Sequence, residues 1–150
     1  MKQYFRVVQK PCAAESIGQL ESALGHGLPK QYKELLLQTD GAEWAIHDDE
    51  GDCLLLWPTV ELIERNADYE IQRWLPDVVA IGSDGGGDAI VLDRSASPDP
   101  DYWSVARVPF AALERDEFIL QAQSFAEWVT SEFRLKDSPP PVFHDLPYGN

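Results

Sequence analysis

Cysteine is scarce in this 150-residue chain: Cys12 and Cys53 are the only two, far apart and without CxxC spacing. That excludes a disulfide scaffold, a zinc knuckle and a thioredoxin-like redox pair, and leaves two thiols expected to be reduced and inert. Basic residues are also few. Twelve Lys and Arg stand against 26 Asp and Glu, a formal net charge of -14. A phosphate backbone would be repelled by such a surface, as would an anionic membrane, so direct nucleic-acid binding and membrane-surface binding are excluded as expectations. No apolar run approaches the roughly 18 residues that a spanning helix requires. The opening Met1 to Lys10 stretch holds an apolar run too short for a signal-peptide core, broken by Arg6, so the expected location is the cytoplasm.

Histidine is scarce too. His26, His47 and His144 fall in expected loops or the tail, and none forms a recognisable nucleophile and base pair with Ser or Cys. Acids are so many that some pair will always suggest a glycosidase, yet no pair sits in an apolar setting that would split the two pKa values. The turn Gly82-Ser-Asp-Gly-Gly-Gly-Asp88 lacks the Lys-Ser/Thr of a phosphate loop and brings two carboxylates that would repel the anion. The run His47-Asp-Asp-Glu-Gly-Asp-Cys53 resembles metal ligands, but as a calcium loop starting at Asp48 it places its glycine too early and Thr59 where the closing Glu belongs. No catalytic residue, metal ligand or cofactor is therefore assigned.

What is present is enough for a core: 44% hydrophobic residues, with five Trp, six Phe and five Tyr. A chain of this length is expected to form one domain, residues 1–136, followed by a proline-rich tail over residues 137–150 that cannot continue a helix. Ile17, Leu20 and Leu24 recur at helical spacing, with Ser16 and Gln19 in capping-box spacing and Gly25 at the end. Leu28-Pro29 opens a second helix carrying Tyr32, Leu35 and Leu36, which Asp40-Gly41 stops, giving a helical hairpin. Cys53 to Trp57 reads as a strand, and Thr59 as the cap of a helix that runs to Trp74 with Leu62, Ile63 and Tyr69 inward. Val78 to Gly82 and Ala89 to Asp93 form a hairpin about the glycine-rich turn, with Tyr102 to Val108 as a further strand. Ser124 to Glu127 is a capping box opening a last helix to Phe133, with Phe125, Trp128, Val129 and Phe133 as its buried stripe. The order predicts an α+β fold, a mainly antiparallel sheet with flanking helices, and not a doubly wound parallel sheet.

The same residues, taken in order, carry a resemblance. Ile17, Leu20-Glu21, Leu24-Gly25, Leu28-Pro29, Tyr32-Lys33, Leu36 and Asp40-Gly41 are followed by Leu56-Trp57, Glu61-Leu62, Asn66 and Tyr69. Ile81 to Gly87 and then Ser124-Phe125 with Trp128 complete the set. Together they resemble the SUKH superfamily, which includes fungal cell-wall assembly regulators and many bacterial immunity proteins. Asp40-Gly41 replaces the family's usual Asn-Gly, and both suit a helix-terminating turn. The resemblance implies an α+β domain without catalytic residues, whose bacterial members look like antidotes that bind and block a cognate toxin. The alternative it implies is a housekeeping regulator or scaffold of the cell-wall assembly type.

Charge supplies an independent pointer to the partner. Residues 40–101 carry sixteen acids and three bases, against three acids and five bases over residues 1–39. Such an excess complements a basic toxin domain, for example a nuclease, because opposite charge speeds encounter. The expected partner-binding residues are Trp44, as an aromatic anchor, with Asp48, Asp49, Glu50 and Asp52. The other four tryptophans are expected in the core. Oligomeric state is left open.

Overall fold

A computed structural model describes residues 7–47 and 52–136. Among these residues the strands form one sheet of seven, each antiparallel to the next and arranged in sequence order. They are β1 (Val7–Val8), β2 (Ala42–His47), β3 (Asp52–Leu56), β4 (Val78–Ser83), β5 (Asp88–Asp93), β6 (Ser104–Pro109) and β7 (Ile119–Ala122). The helices fall in two of the connections and after the last strand: α1 (Ala14–Leu24) and α2 (Lys30–Leu36) between β1 and β2, α3 (Thr59–Asp68) and α4 (Ile71–Trp74) between β3 and β4, then α5 (Phe125–Thr130). The class is α+β with an antiparallel sheet, as the element order predicts.

The centre of the sheet explains its composition. Val78 to Gly82 and Ala89 to Asp93 are buried at every position, so both faces are covered and both runs read as continuous apolar stretches instead of alternating ones. Past Trp57, whose N–H donates to the Ile81 carbonyl at 3.0 Å, the chain after β3 no longer bonds to β4. Side chains take over there: the Asn66 amide donates to the carbonyls of Leu62 and Ala80 and accepts the Ala80 N–H, while Gln72 donates to Asn66 and to the Val78 carbonyl. Asn66 is buried because the buried β4 backbone that β3 leaves unpaired needs those bonds, and an unpaired group there would be costly.

The second core centre lies under α5. Ser124 accepts the Glu127 N–H at 3.0 Å, as its capping box predicts, and Glu127 in return accepts the Gln123 N–H at 2.7 Å, one residue earlier than expected. Phe125, Trp128 and Phe133 are fully buried and meet edge to face, with Tyr32 tilted against Phe125.

Several local expectations are corrected. The capping box at Ser16 and Gln19 is absent, because α1 begins after Ala13 without any side-chain cap; Gly25 does end it, in the left-handed conformation. The helix from Thr59 to Trp74 is two helices, broken where Glu70 turns to a φ of 56°. That break swings Trp74 outward to 57% exposure, and Ile63 is exposed as well. The last helix stops at Thr130, since Glu132 and Phe133 take positive φ and fold the Phe133 ring back into the core. Tyr102 lies in an exposed 3-10 turn, so β6 starts at Ser104. Strands β1, β2 and β7 had no prediction. Cys12 and Cys53 are free thiols, the first buried and the second half-buried.

Candidate functional site

Gly41 to Glu43 at the start of β2, Leu55 to Trp57 at the end of β3, the first turns of α3 and the glycine-rich turn before β5 converge on one cleft of about 560 Å³. Its position follows from the way α3 is launched. Pro58 leaves β3 in an extended conformation, and Thr59 becomes the first helical residue instead of the cap. Asp40 supplies the cap from across the chain: one carboxylate oxygen accepts the Thr59 N–H at 2.7 Å and the other the Thr59 hydroxyl at 3.1 Å. The loop after α2 is thereby pinned to α3, and both become walls of the cleft.

Aromatic side chains build its floor. Trp57, Tyr69 and Phe110 stack nearly parallel, with Tyr69 and Phe110 centroids 4.1 Å apart and Trp57 6.3 Å from Tyr69. Trp57 is buried, Phe110 half-buried and Tyr69 exposed. The Arg65 guanidinium lies 5.3 Å from the Trp57 ring centroid and donates to Glu61 at 2.8 Å, an i, i+4 pair on α3. Asp40, Glu43 and Glu61 also line the cleft, so its charged groups are three carboxylates and one arginine that Glu61 already neutralises.

The glycine-rich turn closes one end. Asp84 accepts the N–H groups of Gly86 and Asp88, and Ser83 that of Gly85. These are the donors a phosphate would need, and they are spent within the turn. Arg107 then binds both Asp84 at 2.8 Å and Asp88 at 3.0 Å. Gly85 sits at a φ of 78°, and a Cβ there would lie 2.1 Å from the Cys53 sulfur. Gly82 faces backbone instead, where a Cβ would lie 2.2 Å from the Leu55 carbonyl oxygen.

Beneath the cleft the Tyr32 phenol is fully buried without a hydrogen-bond partner among the described residues. Burial pushes its pKa up, and nearby Asp40 and Cys12 add to the shift. Far from the cleft, burial pulls Asp93 upward, but bonds from Arg115 and Ser95 outweigh it and hold the carboxyl below its ordinary range. His26 Nδ1 donates to the Gly27 carbonyl at 2.8 Å, and the ring packs edge-on against Trp103. Among the described residues no group of three His, Cys, Asp or Glu side chains is placed to hold a metal, and no helix is long and apolar enough to cross a membrane.

Of the predicted site residues, Trp44 lies on β2 opposite Leu54, and Asp52 opens β3 opposite His47. Asp48, Asp49 and Glu50 lie outside the described residues. Trp44 and Asp52 thus lie on β2 and β3, the two strands whose opposite ends line the cleft. The cleft itself was missed. Its signal was available in Trp57, Glu61, Arg65 and Tyr69, a helical i, i+4, i+8 series following an aromatic residue, which reads as a core stripe unless Asp40 is known to reach Thr59.

An antiparallel meander with helices in two of its connections and a cleft at the β2, β3 and α3 junction defines a small α+β domain. The chain matches the SMI1 / KNR4 family (SUKH-1) over residues 11–131 and belongs to that family. A comparison with curated proteins found no match.

Proposed function

We propose that this chain is a non-catalytic binding protein of the immunity type, which neutralises a cognate toxin domain of basic surface by covering it. The observation that carries the reading is the cleft, an aromatic floor under a rim of Asp40, Glu43 and Glu61 at the base of an acidic hairpin. Aromatic rings beside carboxylates suit cationic side chains, and the surplus of negative charge speeds encounter with a positive partner. Trp44, Asp48, Asp49, Glu50 and Asp52 extend that surface along the hairpin, with Trp44 as anchor. Membership of the SMI1 / KNR4 family also favours a second reading, a regulator or scaffold that binds a cellular protein through the same cleft.

Affinity capture from the source organism with mass spectrometry separates the two, since a toxin domain supports the first and a housekeeping protein the second. With the partner in hand, reversing Asp48, Asp49 and Glu50 to Lys should slow association about ten-fold at low salt, an effect that shrinks as ionic strength rises. Equal rates at low salt would remove the hairpin from the interface.

A further inference from the structure

A second pocket, of about 270 Å³, lies between α1, α3, α4 and the start of β4, on residues the cleft does not use. Leu24, Ile63, Ala67, Pro76 and Val78 give it apolar walls. In a chain with 26 acids, no Asp or Glu is among its lining residues. The one permanent charge lining it is the Arg94 guanidinium.

Arg94 differs from the other well-placed arginines. Arg107 bonds two carboxylates and Arg115 grips Asp93 with both terminal nitrogens. Arg94 reaches only the Pro76 carbonyl, at 3.3 Å, and its Nε is buried with no hydrogen-bond partner among the described residues. A guanidinium is a planar fork of donors that a carboxylate matches with two parallel bonds. The neighbouring Asn66 oxygen is not the missing partner, because it already accepts from the Ala80 N–H and the Gln72 amide.

We propose that this pocket binds a small molecule bearing one carboxylate on a branched apolar body, the carboxylate pairing with Arg94 and the body lying against Leu24, Ile63 and Val78. The volume is near the lower limit for ligand pockets and suits one aliphatic chain of amino-acid size. A free short-chain acid and the C-terminal residue of a peptide share this chemistry. The proposal is independent of the toxin reading, since it shares no residue with the cleft.

The test titrates the full 150-residue chain, followed by amide chemical shifts, with 4-methylpentanoate and its primary amide. The acid should give saturable shifts at Ala23, Leu24, Ile63 and Ala67, and the uncharged amide should bind about ten-fold more weakly, as expected for losing a charge-assisted pair. Arg94→Gln should erase that preference while circular dichroism shows an unchanged melt. N-acetyl-leucine binding more tightly than 4-methylpentanoate would assign the site to a peptide C-terminus, and weaker binding to a free acid. Equal affinity for acid and amide on the wild-type chain overturns the proposal without needing any variant, as does the absence of saturable shifts.

Discussion

The α5 core and the cleft are built from the same materials and used in opposite ways. Around α5 the rings meet edge to face and vanish from solvent, with Phe125, Trp128 and Phe133 all at 0% exposure. In the cleft the rings lie parallel and the stack is left open at Tyr69, which is 40% exposed. Acids do not follow the same division. Asp84, Asp88 and Asp93 are each bonded by an arginine, and in the cleft Glu61 pairs with Arg65 while Asp40 accepts from Thr59. The contrast between the two regions lies in their rings, closed around α5 and open at Tyr69. The count of acids over residues 40–101 therefore overstates the free charge, because several are already paired inside the molecule.

The sharpest way to break this contrast is a pair of truncations. Trp128→Ala should cost about 3–5 kcal/mol in urea unfolding, while Tyr69→Ala should change stability by about 1 kcal/mol or less and weaken the partner complex instead. A large stability loss from Tyr69→Ala would make the cleft a second core. Gly85→Val should cost about 1–3 kcal/mol, because its positive φ and the Cys53 sulfur both oppose a side chain. Gly86→Val should stay within about 0.5 kcal/mol, since that position has neither constraint. The two glycines, alike in sequence, thus separate by thermal melt. Asp40→Ala should cost about 1 kcal/mol by uncapping α3, with hydrogen exchange rising first at the Thr59 amide.

The smallest effect concerns pH. Asp93 titrates below the ordinary carboxyl value in the folded chain, so its contribution is full above about pH 4 and is lost as pH falls through the lower folded value. Urea midpoints of wild type and Asp93→Asn should therefore converge as pH drops below about 4. Parallel midpoints across that range would mean the Arg115 pair is energetically silent.

Legibility in the sequence followed the range of the interactions. Helix α1, the β4–β5 hairpin and the buried Trp128 were readable because periodicity, a glycine turn and a capping box act within a few residues. Strand β7 was not, since Ile119–Ala122 is short and flanked by no strong turn signal. Thr59 was misread as a cap because Ser and Thr before a helix usually are one; the actual cap, Asp40, is remote in sequence and near only in space. Trp74 was misplaced because nothing local announces the positive φ at Glu70. The cleft failed to show for the same reason, being assembled from segments far apart along the chain. Of the predicted partner-binding residues, two are placed on β2 and β3, and the surface they were chosen to form stands as a proposal.

The order of the strands has a kinetic consequence. Because each strand pairs with its predecessor, no strand has to thread between two already joined, and the sheet can grow outward by addition to a free edge. The β4–β5 pair is closed by the short turn at residues 84–87, so its loop entropy is small, and its strands are buried at nearly every position. Joining β3 to β4 must instead enclose α3 and α4, a far longer loop. Until that loop closes, Asn66 and Gln72 have no β4 backbone to bind, and the cleft has no wall. Formation of the cleft is thus tied to closing that longer loop, and a chain that presents the cleft has already joined β3 to β4.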